Sequence, residues 1–174
     1  MNKKEGYILI ILMIVVFIMC IGFLVAIPIW KTQMQREKEE ELIFRGKQYV
    51  EAIRLYQMKY PGSFAKSLEE LLEEKCLRKL YKDPMSKHGE WNIILPYGGA
   101  SKRKKGSVQK IMVASQSALS SIGNPQIIGV VSSSSNKSIK IYFDQETYDK
   151  WLFFYGQDPQ KMPEIISYGE TEKD

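Results

Sequence analysis

Hydrophobic and polar positions divide this chain into three patterns. From Tyr7 to Trp30 all 24 positions are uncharged, and most are aliphatic or aromatic. From Lys31 to Lys59 charged residues return, with apolar ones at helical spacing. Beyond Pro61 short apolar runs alternate with turn residues. These patterns predict a basic leader at 1–6, a membrane-spanning helix at 7–30, and its amphipathic continuation at 31–60. A small α+β head at 61–157 and a fraying tail at 158–174 complete the chain.

A helix over the first run reaches ~36 Å at ~1.5 Å per residue, enough for a ~30 Å hydrocarbon core with some tilt. A cleaved secretory signal has an apolar region of only about 7–15 residues, and Ala26-Ile27-Pro28-Ile29 is a poor cleavage context. A signal anchor fits the length. Lys3 and Lys4 favour a cytoplasmic amino terminus, whereas Lys31, Arg36 and Lys38 pull the other way.

In the second pattern Leu42, Gly46, Tyr49, Ile53, Tyr56 and Tyr60 step by fours and threes, laying one stripe along a helix. Ile43 and Val50 widen it, and Pro61-Gly62 ends it. With the anchor this makes one helix of about 50 residues, or ~80 Å. Pro28 is expected to bend it, because proline removes one backbone hydrogen bond. Lys31 to Glu41 has no apolar face, so it stands in solvent or meets another copy. Glu37-Lys38-Glu39-Glu40-Glu41 reads as a solvated face.

In the third pattern Ser67 to Glu70 reads as a capping box opening a short helix to about Lys75, with Leu68, Leu71 and Leu72 inward. Glu90 to Leu95 is a strand stopped by Pro96, and Gly98 to Lys110 an exposed loop. Gln109 to Ser120 reads as irregular chain. Gln126 to Ser132 is a β-branched strand. Ser138 to Phe143 alternates as the next, with Ile139, Ile141 and Phe143 on one face. Lys150 to Tyr155 is a third strand or a short helix. Links this short require an antiparallel meander, one face of which covers the Leu42–Tyr60 stripe. The fold class is α+β: a long transmembrane-to-soluble helix packed on a small antiparallel sheet.

Composition narrows the chemistry. The 174 residues leave about one domain after the anchor. Net charge is +5; without the leader, 23 basic and 19 acidic residues remain, or +4. Lys102-Arg103-Lys104-Lys105 nearly accounts for that excess and reads as a solvated loop, so no nucleic-acid partner is expected. Cys20 lies in the apolar run and Cys76 in the head, which makes a disulfide between them implausible. His88 is the single histidine, with no nucleophile motif beside it, and reads as a loop residue. Cys76 reads as a buried apolar residue. Zinc needs about four close Cys or His ligands, which the chain lacks. Gly98-Gly99-Ala100 lacks the phosphate-loop form, and Ser132 to Ser135 is a turn. No enzyme activity, cofactor or metal is expected.

The leader Met1-Asn2-Lys3-Lys4-Glu5-Gly6, followed by Tyr7, an apolar helix and Pro28 near its far end, resembles the type IV pilin and type II secretion pseudopilin family. Lys59-Tyr60-Pro61 with Phe64, Ser67 to Leu71, Leu77-Arg78, Tyr81 and Asp83-Pro84-Met85 looks like the bacterial G-type pseudopilins. The resemblance implies that a prepilin peptidase cuts after Gly6 and methylates the new terminus at Tyr7. It also implies filament packing around Ile11 and Pro28. Tyr7 stands where phenylalanine is usual. Ile11 stands where the family carries a glutamate that is thought to neutralise a neighbouring subunit's amino terminus, so assembly is put in question more than cleavage. The implied partners are other pseudopilins or pilins, the prepilin peptidase and an inner-membrane assembly platform. The implied location is the bacterial inner membrane, single-pass, with the head on the periplasmic side. Calcium binding in a C-terminal loop is common among G-type pseudopilins. Here Asp144, Glu146, Asp149 and Asp158 lack EF-hand spacing and read as turn and surface residues. The expected function is a pseudopilin-like subunit of a secretion filament. The alternatives are a type IV pilus minor pilin, or an unprocessed single-pass anchor with a binding head.

Overall fold

The computed structural model describes residues 3–97, 110–157 and 161–168. The basic cluster Lys102 to Lys105, most of the Gly98–Lys110 loop, Asp158 and residues 169–174 lie outside them. The chain divides into two compact units, Met1–Glu37 and Lys38–Asp174.

The first unit is helical. Helix α1 (Lys3–Lys59) begins within the segment expected to be a leader and runs on through Pro28. Thr32 donates its hydroxyl to the Pro28 carbonyl at 3.0 Å, a back-bond to i−4 typical of Thr in helices. Every described side chain from Tyr7 to Trp30 is exposed. Mean hydropathy reaches 3.5 over an 18-residue window, so the helix is long and apolar enough to cross a membrane.

In the second unit the remainder of α1 meets a mostly antiparallel five-stranded sheet. Strand β1 is Trp91–Pro96, β2 Lys110–Ser115, β3 Gly129–Ser132, β6 Phe153–Phe154 and β7 Glu164–Ser167, in the order β6-β3-β1-β2-β7. All neighbours are antiparallel except β2 and β7, which run parallel. Strands β4 (Lys137–Tyr142) and β5 (Gln145–Thr147) form a separate hairpin. Leu42, Tyr49, Ala52, Ile53 and Tyr56 of α1 are buried with Trp91, Ile93 and Leu95 of β1, Val130 of β3 and Phe153 of β6. Gly46 lets the helix approach: a Cβ there would meet the Phe153 ring at 2.4 Å. A second cluster gathers Ile94, Ile111, Ile128, Val131, Leu152 and Phe154.

The short helix α2 is Leu68–Glu73, capped by the Ser67 hydroxyl, which accepts from the Glu70 amide at 3.2 Å. Glu70 reaches back one residue further than a capping box requires, accepting from the Lys66 amide at 2.6 Å. Its other oxygen accepts the Tyr56 hydroxyl at 2.7 Å and so ties α2 to α1. The helix stops short of Lys75, which sits at φ 57, a left-handed conformation that breaks the helical run. Leu68 and Leu71 are buried, while Leu72 is exposed rather than inward.

Several expectations fail for tertiary reasons. Lys110–Ser115, within the supposed irregular chain, is strand β2, followed by a 3₁₀ helix at Gln116–Ser121. Its burial does not alternate, because both faces are covered: Met112 and Ala114 pack in the first core cluster, Ile111 and Val113 in the second. The meander also fails: β3 pairs with β1 and β6, and the hairpin stands apart. Ile139 and Ile141 are exposed, and it is Tyr142 that turns inward against Trp151 and Phe153. Lys150–Tyr155 yields only the two-residue β6 after a 3₁₀ turn at Tyr148–Lys150. Within the expected fraying tail, Glu164–Ser167 is β7, paired with β2. Tyr60, read as the last core position, is 39% exposed and donates its hydroxyl to Glu74 at 2.9 Å.

Candidate functional site

The residues implicated by the leader motif lie in the first unit. Gly6 has open space around it, Tyr7 is exposed, and both sit in α1. Ile11 is 44% exposed and apolar, leaving no carboxylate at that position of the apolar helix. Pro28 is helical and exposed. All four are uncharged and exposed on α1.

In the second unit the most unusual group is Glu39. It is 0% exposed, although it lies in the run expected to face solvent. Its carboxylate accepts from the Ile139 amide at 2.7 Å, the Lys140 amide at 3.0 Å and the Tyr148 hydroxyl at 2.7 Å. The hairpin explains why two successive amides are available. Lys137 pairs with Thr147 and Tyr142 with Gln145, so β4 advances five residues while β5 retreats two. Such a bulge leaves backbone groups without ladder partners, and a carboxylate that accepts several backbone donors satisfies them with charge-assisted bonds. Lys140 adds an ion pair to Glu40 at 2.7 Å, lowering the Glu40 carboxyl from its ordinary range through that hydrogen bond.

A second buried carboxylate, Asp83, secures the loop after α2. It accepts the Ser132 hydroxyl at 2.7 Å, the Ser133 amide at 3.2 Å and the Met85 amide at 2.8 Å. Tyr49 completes the brace: its hydroxyl donates to the Tyr81 carbonyl at 2.9 Å and accepts the Tyr81 amide at 3.0 Å. Burial pushes the Tyr49 phenol up to about 12. The hydrogen bond to Glu70, with burial behind it, does the same for Tyr56. Burial also raises the Cys76 thiol, which disfavours the nucleophilic thiolate. His88 is exposed.

Among the described residues no three His, Cys, Asp or Glu side chains gather as metal ligands. Asp144, Glu146 and Asp149 lie around the hairpin, and Glu146 pairs with Lys137 at 2.9 Å. Asp83 and Glu39 are the carboxylates that sequence reasoning missed. For Glu39 the signal was its phase: Gln35 and Glu39 extend the four-three stepping of the stripe back from Leu42.

The architecture is pilin-like, an N-terminal apolar helix whose continuation packs on a mostly antiparallel sheet. No protein-family model, curated protein or solved structure matches the chain.

Proposed function

We propose that this protein is a membrane-anchored, pseudopilin-like subunit of a type II secretion or related filament. One observation supports this above the others: a single helix starts at the leader, carries the apolar run, and ends as the core helix of the head. In this reading a peptidase removes residues 1–6, Tyr7 becomes the methylated terminus, and the head stands on the periplasmic side of a bacterial inner membrane. Copies then associate through the apolar helix, driven by close packing because lipid removes the hydrophobic incentive between helices. The partners are other pseudopilins or pilins, the prepilin peptidase and an assembly platform. The work is mechanical and associative rather than catalytic.

The apolar Ile11 favours a minor or specialised subunit, including a type IV pilus minor pilin. Intact mass of the protein purified from membranes tests the reading. Loss of Met1 to Gly6 with one added methyl group is expected. An unmodified leader would instead identify a plain single-pass anchor presenting its head.

A further inference from the structure

Beside α1 the second unit holds a solvent-open hollow of about 300 Å³. Its walls include Tyr142, Phe143, Phe153 and Phe154, with Lys47 and Gln157 among its polar lining. Glu51 also lines it, but Arg54 already engages that carboxylate through two hydrogen bonds of 2.8 and 2.6 Å. Lys47 is therefore the unopposed charge of the lining. Among the described residues neither its ammonium, the Tyr142 hydroxyl nor the Gln157 amide has a hydrogen-bond partner. Burial raises the Tyr142 phenol, so the group stays a neutral donor. Phe143 (φ 47) and Asp144 (φ 58) form the two-residue turn between Tyr142 and Gln145 of the hairpin, which places the Phe143 side chain at the cavity.

Three unengaged donors around aromatic walls match a ligand with a flat apolar body and a carboxylate. The volume is at the bottom of the ~300–1,000 Å³ range of ligand pockets, room for one aromatic ring rather than a cofactor. The open side lets a longer chain continue past it. We propose that this cavity binds an acidic–aromatic peptide segment of a partner protein, the ring between Tyr142, Phe143 and Phe154 and the neighbouring carboxylate on Lys47.

The test is calorimetric titration of acetyl-Phe-Asp-amide into the full chain in lipid nanodiscs, with empty nanodiscs as blank. Saturable binding is expected, and acetyl-Phe-Asn-amide should bind about three- to fivefold more weakly, the worth of a solvent-exposed ion pair. Lys47→Met, at an exposed site, should weaken the Asp peptide by a similar factor and leave the Asn peptide unchanged. Acetyl-Ala-Asp-amide should not bind measurably. Absence of saturable heat at millimolar peptide would overturn the proposal, as would equal binding of the Asp and Asn peptides. None of these outcomes depends on leader processing.

Discussion

The carboxylate of Glu39 accepts the hydroxyl of Tyr148 at 2.7 Å across 109 residues of chain. Together with the Ile139 and Lys140 amides, this bond fastens the β4–β5 hairpin to α1 from the first turn of the helix inside the head. The hairpin lies outside the main sheet, so its place depends on this clasp and on the packing of Tyr142.

Replacing Glu39 should therefore be costly. Glu39→Gln keeps the size but turns charge-assisted bonds into neutral ones and points an amide donor at other donors, for a loss of about 1–3 kcal/mol. Glu39→Ala removes the acceptor of one buried donor, the Tyr148 hydroxyl, and of two part-buried amides, and should lose about 3 kcal/mol. Urea unfolding followed by tryptophan fluorescence reads the difference. Hydrogen exchange should show lost protection at Ile139 and Lys140 specifically. A change within about 0.5 kcal/mol, as at an ordinary surface site, would contradict the clasp.

Gly46→Ala separates propensity from packing. Alanine improves an isolated helix by about 1 kcal/mol, yet the new methyl meets the Phe153 ring. Overpacking of this kind costs about 1–3 kcal/mol, so net destabilisation is expected. In a Phe153→Ala background, which lacks the ring atoms that the methyl would meet, Gly46→Ala should cost less than it does in the parent chain. Additive losses in the double variant would mean that the two positions do not touch.

Alkaline stability follows from Tyr49. Its phenol ionises near 10 in the unfolded chain and near 12 in the head, so the folded state holds the proton more tightly. That stabilisation is complete below pH ~10 and is lost as pH rises through ~12, with a size on the order of 2 kcal/mol. Tyr56, raised by its bond to Glu70, adds in the same direction. Tyr49→Phe should flatten the limb between pH ~10 and ~12, read by unfolding at stepped pH alongside tyrosinate absorbance. An unchanged limb would place the titration elsewhere.

Ile11→Glu restores the carboxylate that the resembling family carries. If copies of this subunit pack in a filament, cross-linking of membrane-embedded protein should yield more higher oligomers than the parent chain. Equal insertion with no gain in oligomers would count against filament incorporation.

Much of this molecule was legible in its sequence because the signal was local. An unbroken apolar run determines the length of the segment able to cross a membrane, and four-three spacing places Leu42, Tyr49, Ile53 and Tyr56 in the core. Ser67 announces the start of α2 through a bond spanning three residues. Tertiary structure alone decided the sheet order, the parallel pairing of β7 with β2, and the face presented by β4. Strand pairing joins residues far apart in the chain, and one bulge reverses which side chains of a strand point inward. The burial of Glu39 belongs with these. A carboxylate on a helix faces water unless donors come to it, and its donors lie a hundred residues away.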